Sequence, residues 1–124
     1  MKTRGTQVLY LPDQSQHTGS LFLGTGGTNL TTGSGLDGKE NIGIGVGALN
    51  ATTVGGRNTA CGYDALYFNT TGIGNTASGA YSHFSNTSGD YNTAVGMSSL
   101  YSNTTGSWNT AVGYDTNRYN QEGS

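Results

Sequence analysis

Asn41, Asn58, Asn75, Asn92 and Asn109 stand 17 residues apart each time. Numbered from these asparagines, position 5 is Gly in all five copies (Gly45, Gly62, Gly79, Gly96 and Gly113), and position 15 is Gly as well. Position 3 is always small: Gly43, then Ala60, Ala77, Ala94 and Ala111. Five returns without an insertion make this a repeat array, in which one small unit stacks on copies of itself. A degenerate earlier copy begins at Ser20, because the run from Ser20 to Gly24 reads like the run from Asn41 to Gly45, displaced by 21 residues. The chain therefore divides into a non-repeating cap or junction (1–19), a degenerate first coil with a four-residue insertion in its Gly-rich stretch (20–40), and five 17-residue coils (41–124).

Seventeen residues with glycine punctuation are too few for two packed helices, and strong helix formers are scarce. Each copy reads as strand, turn, strand, turn. Positions 2 to 6 form a strand with one face of Ala and Gly at positions 3 and 5. Its other face carries positions 2 and 4, such as Ile42 and Ile44 or Thr93 and Val95. Positions 8 to 12 read as a second short strand, as in residues 65–69, and the Asn-Thr-Thr-Gly that follows is turn chemistry. Coils stacked at the inter-strand spacing of about 4.8 Å would build a rod roughly 25–30 Å long. Identical residues would then form ladders along the axis.

Composition decides what such a rod can do alone. Gly, Thr, Asn and Ser fill 65 of 124 positions, whereas Leu, Ile, Val and Phe together fall below one fifth, the level at which a packed single-chain core becomes doubtful. Only 10% of the residues are charged, so the chain lacks the self-repulsion that keeps polar sequences unfolded. A wall of Ala and Gly makes each coil thin. One Leu and a few methyl groups per coil are little to set against the backbone entropy of 17 ordered residues. The outward apolar column at positions 2 and 4 supplies the missing burial if it meets other copies of the chain, so the expected state is a homo-oligomer.

The composition also excludes functions. The five basic residues (Lys2, Arg4, Lys39, Arg57 and Arg118) are scattered, leaving no basic face for nucleic acid. No apolar run reaches the roughly 18 residues of a membrane span, and no apolar segment follows the N-terminal charges as in a secretory signal. Cys61 is the single cysteine, which excludes an intrachain disulfide.

The core of the repeat, Asn-Thr-Ala-Val-Gly at residues 92–96 and 109–113, resembles the head repeat of YadA-like trimeric autotransporter adhesins. It is also similar to repeats in trimeric tail fibres of bacteriophages and other viruses. The variant Ala-Leu-x-x-Asn-Thr-Thr-Gly is especially like the fibre form. The likeness covers residues 41–124 well, 20–40 loosely and 1–19 hardly at all. It implies a left-handed parallel β-roll, a β-solenoid in which three chains lie around a threefold axis. It further implies an extracellular place on a virion tail fibre or cell surface, and a role in attachment. The Ala and Gly column would line the roll, and Ile44, Cys61, Ser78, Val95 and Val112 at position 4 would face the trimer axis. Adhesin head repeats are usually shorter than 17 residues and come with a signal peptide, stalk and anchor, none of which this sequence contains. The reading therefore leans to a phage or viral fibre, a host-attachment segment or rigid spacer, over the head of a bacterial adhesin. A self-assembling extracellular filament and an ice-binding solenoid, the latter for its column of Thr59, Thr76, Thr93 and Thr110, are the rival classes.

No catalytic, cofactor or metal site is expected, and the chain reads as non-enzymatic. Cys61, in the Ile/Val column, is expected to be a small buried apolar residue. His83 stands where three other coils carry Leu49, Leu66 and Leu100, and reads as a tolerated substitution or a locally polar spot. His17 is alone. Asp64 and Asp115 share position 7 but lie three coils apart, roughly 14 Å at the stacking distance, too far for a glycosidase carboxylate pair. Asn-x-Ser/Thr sequons occur at Asn29, Asn50, Asn69, Asn86 and Asn103. The aromatic columns are the candidate contacts for a cell-surface glycan or protein receptor: Tyr67, Phe84 and Tyr101 at position 10, and Tyr91 and Trp108 at position 17. Tyr63 and Tyr114 share position 6. The competing use of these rings is to pack between chains or cover turns.

Overall fold

A computed structural model describes residues 20–24 and 38–120. Its six strands are β1 (Leu21–Leu23), β2 (Ile42–Ile44), β3 (Thr59–Cys61), β4 (Thr76–Ser78), β5 (Thr93–Val95) and β6 (Thr110–Val112). They form one parallel sheet in sequence order. Each strand pairs with the equivalent residues one coil on, as in Thr76↔Thr93, Ala77↔Ala94 and Ser78↔Val95. The protein is an all-β solenoid whose turn is the 17-residue repeat. The degenerate coil joins it, since Leu21 pairs with Ile42 across 21 residues. Residues 1–19, including Pro12 and His17, lie outside the described part, as do 25–37 with the expected insertion and Asn29, and 121–124 with the end of the fifth coil.

Backbone chemistry limits every strand to three residues. Position 5 follows with φ between 120° and 140°, a region reserved for glycine (Gly45, Gly62, Gly79, Gly96 and Gly113). A methyl group added at Gly45, Gly62, Gly79 or Gly96 would also fall within 3.0 Å of the glycine backbone of the next coil. Ahead of the strand, position 17 is left-handed in each coil, at Arg57, Gly74, Tyr91 and Trp108.

The interior is a stack of single-residue layers. Position 3 points inward (Ala60, Ala77 and Ala94 are fully buried), and opposite it sit Ala48, Leu49, Ala65, Leu66 and Leu100. The Asn ladder closes this thin core with hydrogen bonds. At position 1 the Nδ2 of Asn41, Asn58, Asn75 and Asn92 donates to the position 15 carbonyl of its own coil, as from Asn58 to Gly72 at 2.8 Å and from Asn75 to Gly89 at 2.7 Å. Each Oδ1 accepts the backbone N–H of the next asparagine, at 2.9 Å from Asn58 through Asn109. One amide thus closes its own coil and holds the next. Ser20 does the same work in the degenerate coil, accepting from the Asn41 N–H and donating to the Gly38 carbonyl, both at 3.0 Å.

The expected second strand at positions 8 to 12 does not form. Position 9 is left-handed in every coil, with φ between 50° and 54° at Leu49, Leu66, His83, Leu100 and Asn117. That conformation breaks a strand, and Leu49, Leu66, His83 and Leu100 are fully buried there, whereas Asn117 in the last coil is exposed. Coil-to-coil pairing survives around the bend: Leu66 N–H donates to Ser82 and Phe68 N–H to Phe84. The backbone is therefore satisfied without a strand.

Candidate interaction surfaces

The outward sheet face carries a column of exposed apolar side chains. Positions 2 and 4 flank the buried position 3 in every strand, so their side chains leave the roll. Ile42, Ile44, Val95 and Val112 are exposed, and position 6 extends the same side of the coil with exposed Val46, Tyr63, Met97 and Tyr114. Cys61 and Ser78 are exposed in this column too. The expectation of a buried Cys61 is corrected for the single chain: position 4 alternates with the interior column, so a thiol there points to solvent. The Thr column shares the face, with Thr59, Thr76 and Thr110 exposed and Thr93 half-buried.

The position 10 aromatics form a pillar. Phe84 stacks on Tyr67 at 5.6 Å and on Tyr101 at 5.0 Å, with interplanar angles of 26° and 14°. Phe68 and Tyr81 meet Phe84 edge-on at 5.1 and 5.7 Å, and Tyr63 meets Tyr81 at 5.4 Å. The Arg118 guanidinium lies 4.9 Å from the Tyr101 ring centre, and its bond to Asp115 at 2.8 Å is the leading reason its pKa is raised. The flat faces of this pillar are occupied by one another and by a cation, leaving mainly ring edges for a ligand. Tyr81 carries a raised phenol pKa, for which desolvation leads and the nearby Tyr63 and Asp64 add.

A second stack stands at position 17. Tyr91 and Trp108 lie 4.4 Å apart at 19°. Gly74 precedes them in the column, and a methyl there would meet the Tyr91 ring at 2.7 Å, so Tyr91 leans over the space that the missing side chain leaves. Trp108 is 70% exposed and is the most open ring of the five proposed contacts. Earlier in the column Arg57 Nε bonds Glu40 at 2.9 Å, both side chains largely in solvent.

The remaining polar groups serve the coil. Asp90 Oδ1 accepts the Ile73 N–H at 2.8 Å, and the Asp64 carboxyl is raised by desolvation. Asn69, Asn86 and Asn103, three of the sequons, are fully buried, with Nδ2 bonded to the Gly72, Gly89 and Gly106 carbonyls. His83 is also fully buried. Among the described residues no three His, Cys, Asp or Glu side chains gather as for a metal ion, and no helix is long and apolar enough to cross a membrane.

Three features escaped the sequence reading: Ser20 as a surrogate for the ladder asparagine, Gly74 as the resting place of Tyr91, and Arg118 as the cap of the pillar. The alignment of Ser20 with Asn41 held the signal for the first, since a hydroxyl can both donate and accept as the amide does, and the shared columns of Gly74 and Arg118 with aromatic rings held the signal for the other two. No protein-family model matches the chain, and no curated protein or solved structure matches it either.

Proposed function

We propose that the chain is a non-enzymatic structural and adhesive segment of a trimeric surface fibre, a phage or viral tail fibre in preference to a bacterial adhesin head. Three rolls would pack around a threefold axis with left-handed winding, and the position 4 column would face that axis. The observation that carries this reading is the outward face, apolar at Leu23, Ile44, Val95 and Val112 and repeated in register, which no described residue covers. A patch of this kind exposed on a soluble protein marks an interaction surface. Its one-coil period means that a second copy, aligned in parallel, meets it with the same spacing along its whole length. Tyr91 and Trp108 would remain available to a cell-surface glycan or protein receptor.

Light scattering or native mass spectrometry tests the assembly. The expected species is three times the chain mass, and a folded monomer at micromolar concentration would overturn the reading.

Exposure of the Thr column favours a second reading, an ice-binding solenoid, which would use the same face. The two readings exclude each other at that surface. Thermal hysteresis in a folded monomer would select the second, and its absence in a trimer the first.

A further inference from the structure

His83 occupies the inward left-handed site that is Leu in three other coils, and none of its surface reaches solvent. Its Nδ1 lies 3.5 Å from the Leu100 carbonyl, and its Nε2 has no hydrogen-bond partner. The buried apolar side chains divide at this coil. One cluster comprises Ala48, Leu49, Ala60, Ala65, Leu66 and Ala77, and the other Ala94, Leu100 and Ala111. His83 therefore sits at the seam between two halves of the core.

We propose that His83 is an acid-operated breakpoint, whose protonation opens the coil of residues 75–91 and uncouples the two halves of the solenoid.

The neutral ring fits because it asks for little beyond one long bond. A second N–H and a full charge would have no acceptor in the roll, and an unpaired buried charge is far costlier than an unpaired neutral nitrogen. The titratable groups on the three coils concerned are Tyr81, Asp90 and Tyr91 on its own coil, Cys61, Tyr63, Asp64 and Tyr67 on the coil before, and Tyr101 on the coil after. None of them hydrogen-bonds the imidazole. Burial pushes its pKa from 6.5 down to about 4, against a weaker upward pull from the Leu100 carbonyl. Between those values the opened coil binds a proton that the closed coil refuses, so each unit of falling pH favours opening roughly tenfold.

The test is hydrogen exchange of the whole chain, corrected for the intrinsic pH dependence of exchange, on the parent and two variants. In the parent, protection across residues 75–91 should fall by up to about two orders of magnitude between pH 6.5 and pH 4. His83→Leu reproduces the side chain that positions 49, 66 and 100 already hold at φ 50–54°, and should abolish the fall. His83→Gln keeps polarity without a titrating group, and should also stay flat. An unchanged acid response in either variant overturns the proposal. So does an NMR titration placing the imidazole of the folded parent near 6.5, a readout that needs no variant.

Discussion

At the residue scale, the position 1 asparagine carries most of the architecture. Asn92 is fully buried. It donates to the Gly106 carbonyl at 2.8 Å and accepts from the Asn109 N–H at 2.9 Å. Asn92→Ala would orphan both groups, at about 1–3 kcal/mol for each buried group left unpaired. The expected loss is roughly 2–6 kcal/mol, read from urea unfolding. Gly79→Ala acts through sterics, because φ is +128° and the added methyl would meet the Gly96 carbonyl carbon at 2.7 Å. At least about 2 kcal/mol should be lost, by strain in the left-handed region together with overpacking. His83 sets the pH dependence at this scale. Its folded pKa lies below its ordinary value, so its contribution to stability is fully present above pH 6.5 and is lost as pH falls toward 4. The loss totals about 3 kcal/mol per chain, and thermal melts at a series of pH values would measure it.

Strand and pillar are the elements that matter. The strand was legible in the pattern of a small residue between two larger ones, though it was read over positions 2 to 6 and the left-handed glycine at position 5 ends it after three residues, and β1 was legible at its 21-residue offset. The second strand was misread because alternation in residues 65–69 cannot reveal that Leu66 takes φ 50°. Leucine has no intrinsic preference for that region, and the neighbouring coils impose it through backbone hydrogen bonds on either side. The aromatic columns were equally legible as columns, but whether rings offer their faces or consume them depends on side-chain packing. Phe84 touches four other rings. Phe84→Ala should therefore cost about 2 kcal/mol, less than the 3–5 typical of a fully buried Phe. Trp108→Ala should stay within about 1 kcal/mol, since that ring is mostly in solvent. Chemical denaturation of the two variants side by side checks the contrast.

For the whole molecule, the single chain is a rod with a buried side built of Ala, Leu and amide ladders and an apolar side turned outward. A charge at position 4 separates the two roles of the sheet. Val95 is exposed in the single chain, so Val95→Glu should leave the coil itself intact. Placed at the proposed axis, three such carboxylates would repel one another without water to screen them. The expected outcome is loss of the trimer by native mass spectrometry. An undisturbed trimer would remove position 4 from the axis.

The sequence by itself determined the period, the coil boundaries, the start of the one strand per coil and the inward column, because each follows from local spacing and from glycine's freedom at positive φ. Tertiary structure decided the left-handed bend at position 9, the stacking of the rings and the burial of His83 at a seam in the core. Each of these depends on what the next coil places 17 residues away, and no local propensity encodes that.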